Sequence, residues 1–456
     1  MGEPVSLGYR FLRGFARFWI RRFFRSIHIF GTQNITKGPA LFAMNHPNNL
    51  IDTLMISYAV ERKIHYLATS QMFRNKILAL FLHNAGVIPV YRKQDDLEYG
   101  QKNVATFQAC YDVLEQGEAI GIYPEGTTHA EPRIKKIKTG TARIALETEK
   151  QFHNGVKIVP IGLNFSVRKS FRGEVTINIG KPLEMSAYLP AYEHDPVPAV
   201  EQLTNDLQNA LEAQIVHIEA PELDRLVSDI EEIYQGVLIR DLIEIGLSPH
   251  EVDAFRLSKK LVEGIQFFNQ RDPARVLHVR QEVGNYKDKL RRVHLQDSLL
   301  QKIMENPVSF RGFLLRILFL LFGLPWALWG GVNHFLPYQI SRWVSRKIAK
   351  RETDYATVRI LCGMILYPLF YTAQIYWVRS RVGWPVALAY GGTLPMFGAF
   401  AYYYGEKFEA FRGDLKLFLV MLTRRQLLNQ LKRRRERLIA EIDRAKEDYL
   451  HAATQT

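Results

Sequence analysis

Between residues 38 and 182 short apolar runs alternate with stretches of helical periodicity, and that alternation leaves few architectures open. Residues 40–44, 64–68, 87–90, 119–123 and 157–164 are short, apolar and bounded by turn residues, as expected of strands covered on both faces. Residues 51–60, 72–83, 99–115 and 139–152 lie between them and carry helical spacing. Strands and helices in strict alternation predict an α/β domain built on a largely buried sheet.

The remainder of the chain has a different character. Pro190, Pro196 and Pro198 mark a boundary, with 189–198 as the expected linker. Residues 199–305 read as a string of amphipathic helices without a metal, nucleotide or nucleophile motif. Residues 313–336, 358–378 and 384–404 then approach the apolar thickness of a bilayer, with Trp326, Trp329, Tyr376, Trp377 and Trp384 suited to its interfaces. Leu324-Pro325 and Gly330-Gly331 interrupt the first of these segments and predict a re-entrant or in-plane hairpin there. The second and third then form one two-helix hairpin around a turn at 379–383. Arg342, Arg346, Lys347, Lys350 and Arg351, and the tail's Lys432, Arg433, Arg434, Arg435 and Arg437, place both basic stretches on the cytoplasmic side by the positive-inside rule. The last segment, 417–450, carries Leu428, Leu431, Leu438, Ile442, Ala445 and Tyr449 at roughly heptad spacing, a seam for helix packing or self-association.

At the other end, residues 1–30 read as a basic amphipathic helix. Phe11, Leu12, Phe15, Phe18, Trp19 and Phe23 share one face, and Arg10, Arg13, Arg17 and Arg21 the opposite one. Such a helix suits an anionic membrane surface, or its apolar face covers the following domain. Arginines interrupt the stretch too often for a secretory signal. The net charge of +14 favours an anionic partner. Nucleic acid finds no supporting motif and would leave the apolar segments unexplained. The two cysteines, Cys110 and Cys362, provide neither a disulfide framework nor a metal site.

The chemistry concentrates in segments at the ends of predicted strands. Asn45-His46-Pro47-Asn48-Asn49-Leu50-Ile51-Asp52 follows the first strand, and the turn-forming Pro47 and asparagines fold Asp52 back toward His46. A carboxylate beside a histidine fixes its tautomer and stabilises the imidazolium, which makes a general base. Tyr123-Pro124-Glu125-Gly126-Thr127-Thr128 also follows a strand. Its glycine admits a ligand to the backbone, and its amides and hydroxyls suit phosphate oxygens. Arg133, Lys135, Lys136, Lys138 and a helix N-terminus at Thr139-Gly140 add positive charge. Arg92 ends another strand, where a guanidinium grips phosphate in bidentate fashion. Ile158-Val159-Pro160-Ile161-Gly162 is either an ordinary core strand or the wall of an acyl slot. There is no Gly-x-Ser-x-Gly elbow, and neither cysteine sits near these motifs, so no acyl-enzyme is required.

These four blocks, taken in chain order, resemble the glycerolipid acyltransferase family of glycerol-3-phosphate and lysophosphatidate acyltransferases, over roughly residues 35 to 185. The resemblance implies an acyltransferase-type α/β domain with a mixed sheet at 31–188, followed by the helical region and C-terminal membrane helices. It implies His46 and Asp52 as the catalytic pair, and Arg92, Glu125, Gly126, Thr127, Arg133, Lys135 and Lys138 on the acceptor side. Five residues separate His46 from Asp52 rather than the family's usual four, which is similar to the fungal-type glycerol-3-phosphate/dihydroxyacetone-phosphate branch. Thr128 stands where an arginine often follows the Glu-Gly-Thr triplet, leaving its phosphate role to Arg133, Lys135 or Lys136. The implied enzyme is an integral membrane protein with its catalytic domain on the cytoplasmic face. It needs no metal or cofactor, takes acyl-CoA or acyl carrier protein as donor, and acylates a glycerol phosphate or a lysophospholipid. A lysophospholipid acyltransferase is the nearer alternative, and a non-catalytic acyl-lipid-binding scaffold the more distant one.

Overall fold

A computed structural model describes residues 14–454, apart from 15–16, 22, 92–98, 130, 132, 166–172, 217–220, 245–253, 294, 306–309, 350–353 and 424. The chain divides into two compact units, one of residues 1–219 with 344–362 and one of residues 220–343 with 363–456.

The first unit is built on an eight-stranded mixed sheet. Its strands are β1 (Ser26–Phe30), β2 (Ala40–Met44), β3 (Ile64–Thr69), β4 (Ile88–Val90), β5 (Ala119–Ile122), β6 (Lys157–Phe165), β7 (Glu174–Ile179) and β8 (Leu183–Glu184), and the order across the sheet is β1-β7-β6-β2-β5-β3-β4. β2 lies parallel between β5 and β6, whereas β7 and β8 run antiparallel to β6. Helices α1 (Leu50–Ala59), α2 (Lys76–Asn84), α3 (Tyr99–Glu115) and α4 (Gly140–Phe152) connect the strands as the apolar alternation requires. The core joins Leu41 and Ala43 of β2 to Leu114, Ile120, Leu146 and Ile158.

Three strands, β1, β7 and β8, and one boundary depart from the sequence reading. β1 lies inside the stretch expected to be one N-terminal helix. Its alternating Ile27 and Ile29 pair with β7, a tertiary partner that local helical spacing could not reveal. The described residues ahead of it pack inward through Ile20, Phe23 and Phe24, with the Phe24 ring against Phe165 of β6. Arg17 bonds the Tyr58 carbonyl and Glu61, and Arg21 bonds the Tyr58 hydroxyl. The described part of this segment therefore covers the sheet; of its expected membrane face Phe18 is outward at 58% exposure, and Phe11, Leu12 and Phe15 lie outside the described residues. The expected linker 189–198 is helical: α5 (Leu189–His194) and α6 (Pro196–Glu212) each place proline in a first turn, where its missing N–H removes no helical bond. Ala199, Leu203, Leu207 and Leu211 of α6 complete the core of the first unit. β6 is an ordinary core strand at 158–162, closed over by Gln214, whose carbonyl bonds both Asn164 and Asn178.

The second unit is helical among its described residues. It holds α7 (Pro221–Glu244), α8 (Ala254–Arg271), α9 (Pro273–Arg292), α10 (Asp297–Glu305), most of α11 (Phe310–Ile348) and α12 (Asp354–Val382), α13 (Trp384–Thr423) and α14 (Arg425–Thr454). α11 corrects the expected re-entrant hairpin: it is one unbroken helix with Pro325 and Pro337 inside it. Gly330 reflects packing rather than a turn. A Cβ on Gly330 would lie 1.9 Å from the Phe397 carbonyl oxygen of α13, a backbone approach that only glycine permits. The helical stretches 311–348 and 357–382 are long and apolar enough to cross a membrane, and Trp326, Trp329, Tyr376, Trp377 and Trp384 are exposed. Tyrosine, glycine and proline dilute the apolar character of α13.

The heptad seam of α14 is filled by the chain itself, as its helix-packing reading expects: Leu428, Leu431, Leu438 and Ile442 are buried. Part of the tail's basic run is structural rather than solvated. Arg435 is 3% exposed and donates from Nε to Asp297 Oδ1 at 3.0 Å and from Nη2 to the Ile233 carbonyl at 2.8 Å, while the Tyr286 hydroxyl bonds the same carboxylate. Removing one partner of a buried ion pair strands the other charge. Arg435→Met is therefore expected to destabilise this unit by about 3–5 kcal/mol in denaturant titration, with the double variant Arg435→Met/Asp297→Leu recovering much of the loss.

Candidate active site

The register of the sheet brings the two motifs together. Ala43 of β2 is paired with Ile122 of β5 in a parallel ladder, so the loops leaving the two C-terminal ends are neighbours. Asn45 anchors the first loop: its Nδ2 donates to the Leu163 carbonyl at 3.0 Å, and its Oδ1 accepts from the Leu163 N–H at 2.7 Å. His46 follows at the mouth of the strand, and α1 begins at Leu50.

Asp52, in the first turn of α1, is fully buried at 0% exposure. Its Oδ2 takes two hydrogen bonds, one from His46 Nδ1 at 2.8 Å and one from the backbone N–H of Asn48 at 2.8 Å. The bond to an ionised carboxylate assigns the ring proton to Nδ1, so Nε2 presents a lone pair. Tyr123 stacks on the imidazole, with ring centroids 3.8 Å apart and planes at 17°. Its hydroxyl is paired with Thr53 Oγ1 at 2.9 Å. Desolvation, with the Asp52 charge next, holds the Tyr123 phenol well above its usual pKa, so it stays protonated and serves as a ring support.

The second motif forms a tight turn closed by Gly126 N–H to the Tyr123 carbonyl at 2.9 Å. Gly126 has φ 66°, and a Cβ there would lie 2.7 Å from Lys138 Nζ, so glycine satisfies both the backbone and the lysine above it. The buried Glu125 carboxylate bonds the His129 ring and the Lys135 N–H, the latter at 2.8 Å. His129 in turn donates its backbone N–H to the His46 carbonyl at 3.3 Å, tying the two loops together. Glu125 Oε1 and His129 Nδ1 are buried polar atoms without a partner among the described residues, and they lie beside the His46 loop.

The structure thus brings His46, Asp52, Glu125, Gly126, Thr127 and Lys138 into one region. Arg133 and Lys135 are near it in sequence, but both bond the half-exposed Glu131. Arg92 lies outside the described residues. Tyr123, Asn45 and His129 emerge from the geometry: a ring stack and an inter-strand amide bridge leave no local spacing pattern, although Tyr123 and His129 flank the motif. Cys110 is no nucleophile here, because burial, with Asp112 second, pushes its thiol up to about 12.

Residues 26–164 match the family described as Acyltransferase, and residues 247–449 match the Glycerol-3-phosphate acyltransferase 2 C-terminal domain. The chain is similar to "Glycerol-3-phosphate O-acyltransferase 2" of Saccharomyces cerevisiae, at 27% identity over 62% of this chain and 40% of that protein. Similarity to "Glycerol-3-phosphate O-acyltransferase 1" of the same yeast is 27% over 59% of this chain and 36% of that protein. The chain therefore spans well under two thirds of the length of these relatives. A "1-acyl-sn-glycerol-3-phosphate acyltransferase" of Bacillus subtilis is 29% identical over 33% of this chain and 71% of its own. A solved structure, the 1-acyl-sn-glycerophosphate (LPA) acyltransferase PlsC from Thermotoga maritima, aligns at 17% identity and a TM-score of 0.34, covering 44% of this chain and 78% of that one. The chain joins a domain of the Acyltransferase family to a glycerol-3-phosphate acyltransferase 2 C-terminal domain.

Proposed function

We propose that the chain is a membrane-bound O-acyltransferase, moving a fatty acyl group from acyl-CoA or acyl carrier protein to glycerol-3-phosphate or dihydroxyacetone phosphate in phospholipid biosynthesis. The observation that carries this reading is the buried Asp52 holding His46 Nδ1 while the Glu125–Gly126 turn stands beside the ring. His46 Nε2 takes the proton of a glycerol hydroxyl as that oxygen attacks the thioester carbonyl. Asp52 stabilises the resulting imidazolium, which returns the proton to the departing thiolate as the carbon–sulfur bond breaks. The acceptor phosphate is held by Arg92, Lys138 and the amides of Glu125 and Thr127, with Gly126 shaping the turn that admits it and Arg133 and Lys135 reaching it by exchanging Glu131 for phosphate.

A lysophosphatidate acyltransferase is the second reading, supported by the similarity of the catalytic domain to bacterial 1-acyl-sn-glycerol-3-phosphate acyltransferases. The match over 247–449 favours the first. The basic residues Arg346 and Lys347 belong to the same compact unit as His46, which supports placing both at the cytoplasmic face.

Purified protein given labelled acyl-CoA is expected to acylate glycerol-3-phosphate or dihydroxyacetone phosphate in preference to lysophosphatidate. His46→Ala is expected to lower kcat by on the order of 10²–10⁴ while the fold, read by circular dichroism, is retained. Wild-type turnover in that variant would overturn the mechanism. Gly126→Ala, which drives a Cβ into Lys138, is expected to raise the acceptor KM, and a rise confined to the acyl donor would show the turn misassigned. In sealed inside-out vesicles a cysteine at position 346 is expected to react with an impermeant maleimide. Protection there, with labelling only in vesicles of the opposite orientation, would reverse the topology.

A further inference from the structure

Asn49 adopts a backbone that an asparagine does not favour. Asn49 has φ 56° and ψ −128°, a region natural to glycine, and it is one of two non-glycine residues with positive φ among those described. Such a conformation persists where neighbouring bonds over-determine it. Two of those bonds come from about 300 residues further along the chain. Asn49 Nδ2 donates to Asp354 Oδ1 at 3.1 Å, and Thr357 Oγ1 donates to the Asn48 carbonyl at 3.1 Å. Asp354 and Thr357 form the first turn of α12, lie in the 344–362 segment of the first unit, and fall outside the residues matched to the Acyltransferase family.

The Asn48 residue is consequently held at both of its backbone polar groups. Its N–H donates to Asp52 Oδ2 at 2.8 Å, and its C=O accepts from Thr357 Oγ1 and, at 3.3 Å, from the Ile51 N–H. Loss of the Thr357 bond leaves the carbonyl on the longer Ile51 bond alone, and any turn of it shifts the residue whose amide shares Asp52 Oδ2 with His46. Asparagine rather than glycine at 49 also follows, because glycine would relieve the backbone but could not reach Asp354.

We infer that Thr357 and Asp354 are positioning residues of the catalytic loop: the first turn of α12 clamps Asn48 and Asn49 and so sets the alignment of Asp52 with His46. The inference rests on the acyltransferase reading of that pair, and it deepens it by making the loop incomplete without a segment from the C-terminal half of the chain.

The full-length protein tests it with Thr357→Val, which removes the hydroxyl at nearly constant shape, and Thr357→Ser, which keeps it. Thr357→Val is expected to lower kcat on the order of tenfold, since small misalignments of a general base are costly. Both KM values should stay within about twofold, and Thr357→Ser should restore the rate. A second readout does not depend on turnover: the rate of His46 carbethoxylation by diethyl pyrocarbonate, followed by peptide mass spectrometry, should change in Thr357→Val and return in Thr357→Ser. If wild type transfers no acyl group, the functional reading fails while the modification rate still decides the clamp. Wild-type kcat and modification rate in Thr357→Val would overturn the inference, as would a loss of folded protein that serine does not restore.

Discussion

The site depends on one buried carboxylate oxygen. Asp52 Oδ2 receives the imidazole of His46 and the amide of Asn48 together, which ties the side chain that would do the chemistry to the turn that carries it. A buried carboxylate is stable only with such donors around it. Its position is fixed from below by α1, from beside by the Asn45 bridge to β6, and from the opposite loop by the His129 bond to the His46 carbonyl. Each of these is a consequence of β2 lying between β5 and β6 with its strand end open.

The same geometry accounts for the five-residue separation of His46 and Asp52. A longer loop between ring and carboxylate has more conformations to restrict. Here the restriction comes from the turn at Asn48–Asn49 and from bonds to that turn. The turn is held from within the motif by Asp52 and Ile51 and from outside it by Asp354 and Thr357, and the fold keeps a strained asparagine where glycine would be unstrained.

Much of this was legible in the chain. The five strands expected between residues 38 and 182 all form, within two residues of their expected limits, because each is apolar enough to be buried on both faces. The His46–Asp52 spacing and the Glu125–Gly126 turn were equally visible. What escaped notice was set by partners far away. β1 becomes a strand only by pairing with β7, and prolines 190, 196 and 198 enter helices because α6 has a core to cover. The Gly330-Gly331 pair looks like a break, yet both lie in one helix, and a second helix passes 1.9 Å from the Cβ that Gly330 lacks. Arg435, one of the five basic residues between 432 and 437, is buried against Asp297. Tyr123 stacked on His46 leaves no periodic trace at all.

The central claim, that Asp52 acts as a carboxylate and not merely as a hydrogen-bonding shape, is tested most directly by acyl transfer from acyl-CoA in Asp52→Asn. The amide preserves the side chain's size and can still accept from the Asn48 N–H, but it removes the charge that stabilises the His46 imidazolium. The account predicts a kcat lower by on the order of 10²-fold or more, with acceptor KM little changed and the fold intact. A variant that turns over at the wild-type rate would contradict it.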